Sequence, residues 1–126
     1  MSNPSPSGNK VVVLIVEDEA LVRMGAADMA EDAGFQVLEA ANADEAVRIL
    51  ESRLDIRIVF TDIDMPGSMD GLKLALAVRG RWPPIEIILT SGHRKVAEGD
   101  MPERSVFIAK PYNCDQVVSL LRHMAA

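Results

Sequence analysis

The chain of 126 residues has a single cysteine, Cys114, so neither an intramolecular disulfide nor a four-thiolate zinc site can be built from it. Its thiol is expected to be buried and chemically quiet, and the missing cystine framework fits a reducing compartment. No apolar run approaches the roughly 20 residues that cross a bilayer. The longest, VVVLIV at 11 to 16, has no signal-like segment before it, so membrane insertion and export are not expected and the cytoplasm is the expected location. Aromatic residues make up only 4% of the chain while 48% is hydrophobic, so the core must be built from Val, Ile, Leu, Met and Ala. Positive charge is also scarce. Thirteen Lys and Arg against nineteen Asp and Glu leave a formal charge of -6, which argues against a broad nucleic acid-binding face because phosphate contacts need clustered cations.

What remains is a chain of one-domain size, able to bury roughly two thirds of its extended surface. Residues 1 to 9, MSNPSPSGN, are expected to be a disordered leader, and 10 to 126 the folded domain. VVVLIV reads as a strand buried on both faces. Glu19 to Ala33 forms an amphipathic helix with Leu21 or Val22, Gly25 or Ala26, Met29 and Ala33 inward, weakest at Gly25 and stopped by Gly34. FQVLEA at 35 to 40 is the second strand. Residues 42 to 52 form a helix with Asn42 as cap and Glu45 three residues on, in the manner of a capping box. DIRIVF, GLKLALAVRG at 71 to 80, IEIILT and SVFIA continue the alternation. The last helix is capped by Asn113, with Val117, Leu120, Leu121 and Met124 facing inward. Residues 92 to 104, GHRKVAEGDMPER, offer one or two helical turns at most before Gly99.

Strands separated by helical crossovers run parallel, so all their C-termini point one way, and in such sheets the site lies at those ends. There the sequence places Glu17-Asp18-Glu19, then Asp62 in FTDIDMPGSMDG, then Thr90-Ser91-Gly92, then Lys110-Pro111. If the first, third and fourth strands are central, Asp18 and Asp62 become neighbours although 44 positions apart. Clustered carboxylates repel unless a cation neutralises them, and one lysine is too little. An all-oxygen set favours magnesium. Asp18 and Asp62 would ligate through carboxylates and Asp64 through its backbone carbonyl, its side chain facing water. Glu17 would hydrogen-bond metal-bound water. A carboxylate oxygen of Asp62 can attack phosphorus in line, with Lys110 and the Thr90 hydroxyl contacting the transferred oxygens. His93 and His123 lack ligand-like spacing and read as surface groups.

The ordered set VVVLIVEDE, FTDIDMP with MDG, ILTSG and FIAKPY resembles the receiver domain of two-component response regulators, of the single-domain type, over residues 10 to 126. The resemblance implies a doubly wound, flavodoxin-like α/β fold with a five-stranded parallel sheet in the order 2-1-3-4-5. It implies that Asp62 takes a phosphoryl group from a sensor histidine kinase or a histidine phosphotransfer protein in a magnesium-dependent reaction. Glu17 and Asp18 match the acidic pair, Thr90 the switch hydroxyl, Lys110 the lysine before proline and Phe107 the switch aromatic. Ser91 falls where the family has a small residue, leaving the phosphoryl pocket accessible. A switched docking surface would then meet a downstream protein, and room is left for a homodimer. The protein would accept phosphate rather than act as an enzyme on a separate substrate.

Two departures stand out. Gly67 and Ser68 make the loop after Met65-Pro66 one residue longer than the commonest pattern, and Thr90 and Lys110 are closer together than usual, which shortens the fourth helix. Among other readings, DIDMPGS is similar to the D-x-D of haloacid-dehalogenase-type phosphatases, but that pair would follow the first strand and need a cap. A flavin module would want a hydroxyl-rich loop where VEDEAL offers carboxylates. A receiver-like adaptor that docks without phosphorylation is the alternative that composition leaves open.

Overall fold

The structure is a computed structural model and describes residues 10 to 93 and 95 to 126; the expected leader, 1 to 9, lies outside the described residues. Five strands form one parallel sheet in the order β2-β1-β3-β4-β5: β1 is Val12–Val16, β2 Gln36–Ala40, β3 Ile56–Asp62, β4 Glu86–Ser91 and β5 Ser105–Ala109. The order and the parallel register agree with the doubly wound fold expected from the sequence. The four α-helices among the described residues are α1 (Ala20–Asp32), α2 (Ala43–Ser52), α3 (Gly71–Arg81) and α4 (Cys114–Ala125). Between β4 and β5 the described residues contain only a 3-10 turn, Glu98–Asp100, so the fourth crossover helix is reduced to one turn.

Side chains alternate across a strand, and here the alternation sorts the core into two layers. Val12, Leu14 and Val16 face α2 and α3 with Val59, Ile87 and Leu89. Val13 and Ile15 face α1 and α4 with Ile58, Phe60, Ile88 and Ile108. β1 is buried along its whole length, which is why it reads as a continuous aliphatic run and not as an alternating one.

Helix ends follow local hydrogen-bonding logic. Asn42, Asp70 and Asn113 each accept a bond from the backbone N–H three residues on, covering donors that a helix N-terminus leaves open. Glu45 completes a variant of the capping box, since its Oε1 accepts from the N–H of Ala41 at 2.7 Å instead of from Asn42 itself. In α4, Val117 and Leu121 are buried, with Leu120 and Met124 packed beside them, as the spacing predicts.

One expectation is narrowed and one needs correction. The inward face of α1 is Ala26, Ala27 and Ala30, with Met29 and Ala33 packed beside it as expected; of the paired alternatives, Val22 is half-buried while Leu21 is 83% exposed, and Ala26 is buried while Gly25 is exposed. Small side chains bring this helix close to the sheet, and the alanine stripe rotates Leu21 outward; a helical period alone could not choose between the two faces. Cys114 is exposed. It occupies the first turn of α4, ahead of the stripe from Val117 to Leu121 that turns toward the core.

Candidate functional site

The sheet alternation also builds the site. Glu17, Asp62, Thr90 and Lys110 each lie two residues beyond a member of the α1 and α4 core layer, namely Ile15, Phe60, Ile88 and Ile108. A period of two therefore carries that face upward into four polar groups at one sheet end. The ladder continues through the junctions: the N–H of Glu17 donates to Ala40 O at 3.0 Å, that of Ile63 to Thr90 O at 2.8 Å and that of Lys110 to Ser91 O at 3.0 Å. Asp62 and Thr90 are register partners. The strand ends are thus held in line by backbone bonds while their side chains converge.

Carboxylate oxygens of Glu17, Asp18 and Asp62 lie within 4.8 Å of one another. Glu17 and Asp62 are both only 4% exposed, whereas Asp18 is open to solvent. Lys110 Nζ donates to Glu17 Oε1 at 3.0 Å and stands 3.4 Å from Asp62 Oδ2. Glu17 Oε2 accepts from the N–H of Glu19 at 3.1 Å, and Asp62 Oδ1 from the N–H of Asp64 at 3.3 Å. Burial pushes the carboxyl groups of both Glu17 and Asp62 above their ordinary range, outweighing the lysine and the N–H donors that pull the other way. For Lys110, burial opposes the charge, but the bond to Glu17 and the nearby Asp62 charge prevail and raise its ammonium. Negative charge therefore exceeds what one cation neutralises. Thr90 Oγ1 is buried and has no hydrogen-bond partner among the described residues. A buried hydroxyl normally has one.

Asp18, Glu19, Asp62 and Lys110 line an open cleft of about 320 Å3 with Asp64, Gly92 and His93. His93 is exposed, as its lack of ligand spacing suggests, yet it sits on the cleft wall, and its N–H donates to Ser91 Oγ at 3.1 Å. The Asp64 side chain departs from expectation. Instead of merely facing water, its Oδ2 accepts a hydrogen bond from the Ser91 hydroxyl, a pairing set by how the β3 and β4 ends lie side by side. Ser91 is buried and engaged, so it does more than leave the pocket open. Phe107 is half-buried on the opposite sheet face, toward α2 and α3, next to Leu89 in register. His123 lies on α4, away from the cleft.

Other groups escaped the sequence reading. Gly71, the last residue of MDG, packs so tightly under the site that a Cβ there would collide with the carbonyl of Asp62 and come within 2.8 Å of Ile63 Cα. The motif spacing was the available signal. The longer loop is shaped by Gly67, whose φ of 112° is open to glycine and disfavours other residues, and Ser68 Oγ donates to Asp44 Oδ1 at 2.9 Å. Beside the cleft, an apolar groove of about 640 Å3 runs between α1 and the segment after β5, lined among others by Leu21, Met29, Pro111 and Tyr112. Tyr112 packs its ring on Phe60 at 5.5 Å.

Comparison with known proteins matches this architecture and the order of its motifs. The family model for the response regulator receiver domain matches residues 13 to 122. A putative NtrX-like response regulator of Rickettsia bellii is 35% identical over 114 residues, covering 87% of this chain and 24% of that protein. The sensor kinase CckA of Brucella abortus is 35% identical over 116 residues, covering 89% of this chain and 12% of the kinase. Among solved structures, a response regulator receiver protein from Sinorhizobium medicae superposes with a TM-score of 0.85 at 26% identity, covering 92% of this chain and 94% of that one. The chain spans only a small part of the length of the two curated relatives. It belongs to the receiver domain family of two-component response regulators.

Proposed function

We propose that the protein is a phosphoacceptor, with Asp62 as the residue modified. The observation that carries this reading is the Asp62 carboxylate itself, held at a strand end between Lys110 and the acidic pair and open to a cleft. A carboxylate oxygen of Asp62 attacks the phosphorus of a phosphohistidine on a histidine kinase or phosphotransfer protein. The new O–P bond forms as the P–N bond breaks, and the imidazole nitrogen keeps the electron pair and takes up a proton. Lys110 orients Asp62 and offers its ammonium to a phosphoryl oxygen. The Thr90 hydroxyl, without a partner among the described residues, donates to another. The same groups act when water later removes the phosphoryl group, so the protein takes part in its own modification without having a separate substrate.

The donor set fits magnesium: three carboxylates, all oxygen, close together and in excess over the one lysine among them. Asp18 and Asp62 would hold it directly, Asp64 through its backbone carbonyl, and Glu17 through metal-bound water, its own oxygens being engaged by Lys110 and Glu19. When bound, the ion neutralises the carboxylates and the transferred oxygens.

Modification also switches a protein-docking surface. A phosphoryl group on Asp62 gives Thr90 a charged acceptor, which draws the β4 end toward the cleft and favours a packing in which Phe107 turns inward. The connection from 95 to 104, with its single 3-10 turn, is the part that responds and gains order. A downstream protein reads the resulting face of β5.

The test is phosphotransfer from full-length histidine kinases and phosphotransfer proteins of the source organism. A donor should label the wild-type protein and leave D62N unlabelled. Partners that bind tightly while no donor ever labels the protein would replace this reading with a phosphorylation-independent adaptor.

A further inference from the structure

Arg23 has no part in the core or in the phosphoryl chemistry, yet its guanidinium makes two directed contacts. Its Nη1 donates to the backbone carbonyl of Glu17 at 2.8 Å, and its Nε pairs with Glu39 Oε1 at 3.1 Å. The side chain is 20% exposed, less than that of Glu39 at 43%. Arg23 stands in the first turn of α1, and Glu39 on β2 is the register partner of Ile15 on β1. One side chain therefore ties the helix to the edge strand across the turn that carries the acidic pair.

That turn needs tying. Glu17, Asp18 and Glu19 are consecutive carboxylates that face Asp62 or its surroundings, and their mutual repulsion favours a wider turn. Past Val16 the strand supplies one more ladder bond, from the N–H of Glu17 to Ala40 O. Asp18 follows, exposed and outside the sheet. A guanidinium bonded to the Glu17 carbonyl is a charge-assisted contact with fixed geometry. It acts on the backbone between the two acids and adds no ligand to the cleft.

We propose that Arg23 is a positioning residue for the acidic pair, clamping the Glu17 carbonyl against Glu39 so that the Glu17 and Asp18 carboxylates keep the spacing at which they take up magnesium. The proposal rests on the phosphoacceptor reading above and extends it to a residue outside the cleft. Partners that orient metal-binding groups from behind typically contribute tenfold or more to metal affinity.

The experiment is magnesium titration of the full chain followed by amide NMR, for wild type, R23A, R23K and E39Q, with amide exchange measured on the metal-free proteins. R23A should bind magnesium about tenfold more weakly. R23K, a point charge able to restore one contact, should fall between R23A and wild type. E39Q, which loses a half-exposed ion pair, should weaken binding about threefold. In metal-free R23A the amides of Glu17 and Glu19 should exchange faster while those of β3 stay as in wild type. R23A and E39Q titrating like wild type would overturn the inference, and so would faster exchange spread evenly over the sheet, which would assign Arg23 to general stability. Should R23A fail to fold, E39Q decides alone. A wild-type protein that takes up no magnesium would instead remove the phosphoacceptor reading, and this inference with it.

Discussion

Lys110 and Glu17 stand 93 positions apart in the chain, and the Lys110 ammonium donates to the Glu17 carboxylate at 3.0 Å with Asp62 at its other side. This contact joins the far ends of β1 and β5 across the ends of β3 and β4 and makes one lysine the shared counter-charge of two buried acids. A site arranged this way has a surplus of negative charge in its unmodified, metal-free state, and several consequences can be measured.

The first is a dependence on pH. Burial raises the folded-state carboxyl of Asp62 above its ordinary 3.8. A group whose proton is held more tightly in the folded chain contributes stability that is complete below the unfolded value and is lost as pH rises through the folded one. In chelator, the advantage of D62N over wild type in thermal midpoint should therefore grow as pH is raised from the ordinary carboxylate range toward neutrality. Magnesium should shrink that advantage. A difference that stays constant with pH would mean that Asp62 ionises freely.

Gly71→Ala tests the packing beneath the site. The added methyl would meet the backbone of Asp62 and Ile63, which cannot yield as a flexible side chain does. Overpacking of this kind costs about 1–3 kcal/mol, and here it should also displace Asp62. Denaturant unfolding and acetyl phosphate labelling should both worsen in G71A. A variant with wild-type stability would show that α3 can move away from β3 freely.

Thr90→Val separates the resting state from the modified one. A buried hydroxyl without a partner costs about 1–3 kcal/mol in mutational data, so T90V should be as stable as wild type or more so before phosphorylation. After beryllofluoride treatment, wild type should gain amide protection between 95 and 107, and T90V should not. A large loss of stability in untreated T90V would mean that the hydroxyl is already bonded.

Asp18→Asn and Asp64→Asn divide the roles of two acids on the cleft. D18N should weaken magnesium binding more than D64N, because only the backbone carbonyl of residue 64 is assigned to the metal. D64N being the more damaging change would make its carboxylate a ligand and not a partner of Ser91.

How far the sequence foretold this arrangement can be judged residue by residue. VVVLIV announced a central strand because burial on both faces leaves a continuous aliphatic run, and from parallel strands the gathering of Glu17, Asp62, Thr90 and Lys110 follows by topology. The shortened crossover after β4 was legible from Gly99 and from the close spacing of Thr90 and Lys110. Contacts that depend on the angle of one element to another were not. The Ser91 bond to Asp64, the clamp by Arg23 and the outward turn of Leu21 depend on the placement of strand ends and helix faces, which no local pattern encodes. Cys114 was misjudged for a related reason: a cysteine's usual burial says nothing of a position one turn ahead of a helix's inward stripe.

Asp62 is the proposed phosphoacceptor, and the most direct measurement is intact-mass analysis after incubation with acetyl phosphate and magnesium. Wild type should gain a single phosphoryl group that survives acid, is removed by hydroxylamine and fails to appear when the metal is chelated. D62N should gain none. Undiminished labelling of D62N would contradict the account, because the phosphoryl group would then reside on a residue that the cleft does not organise.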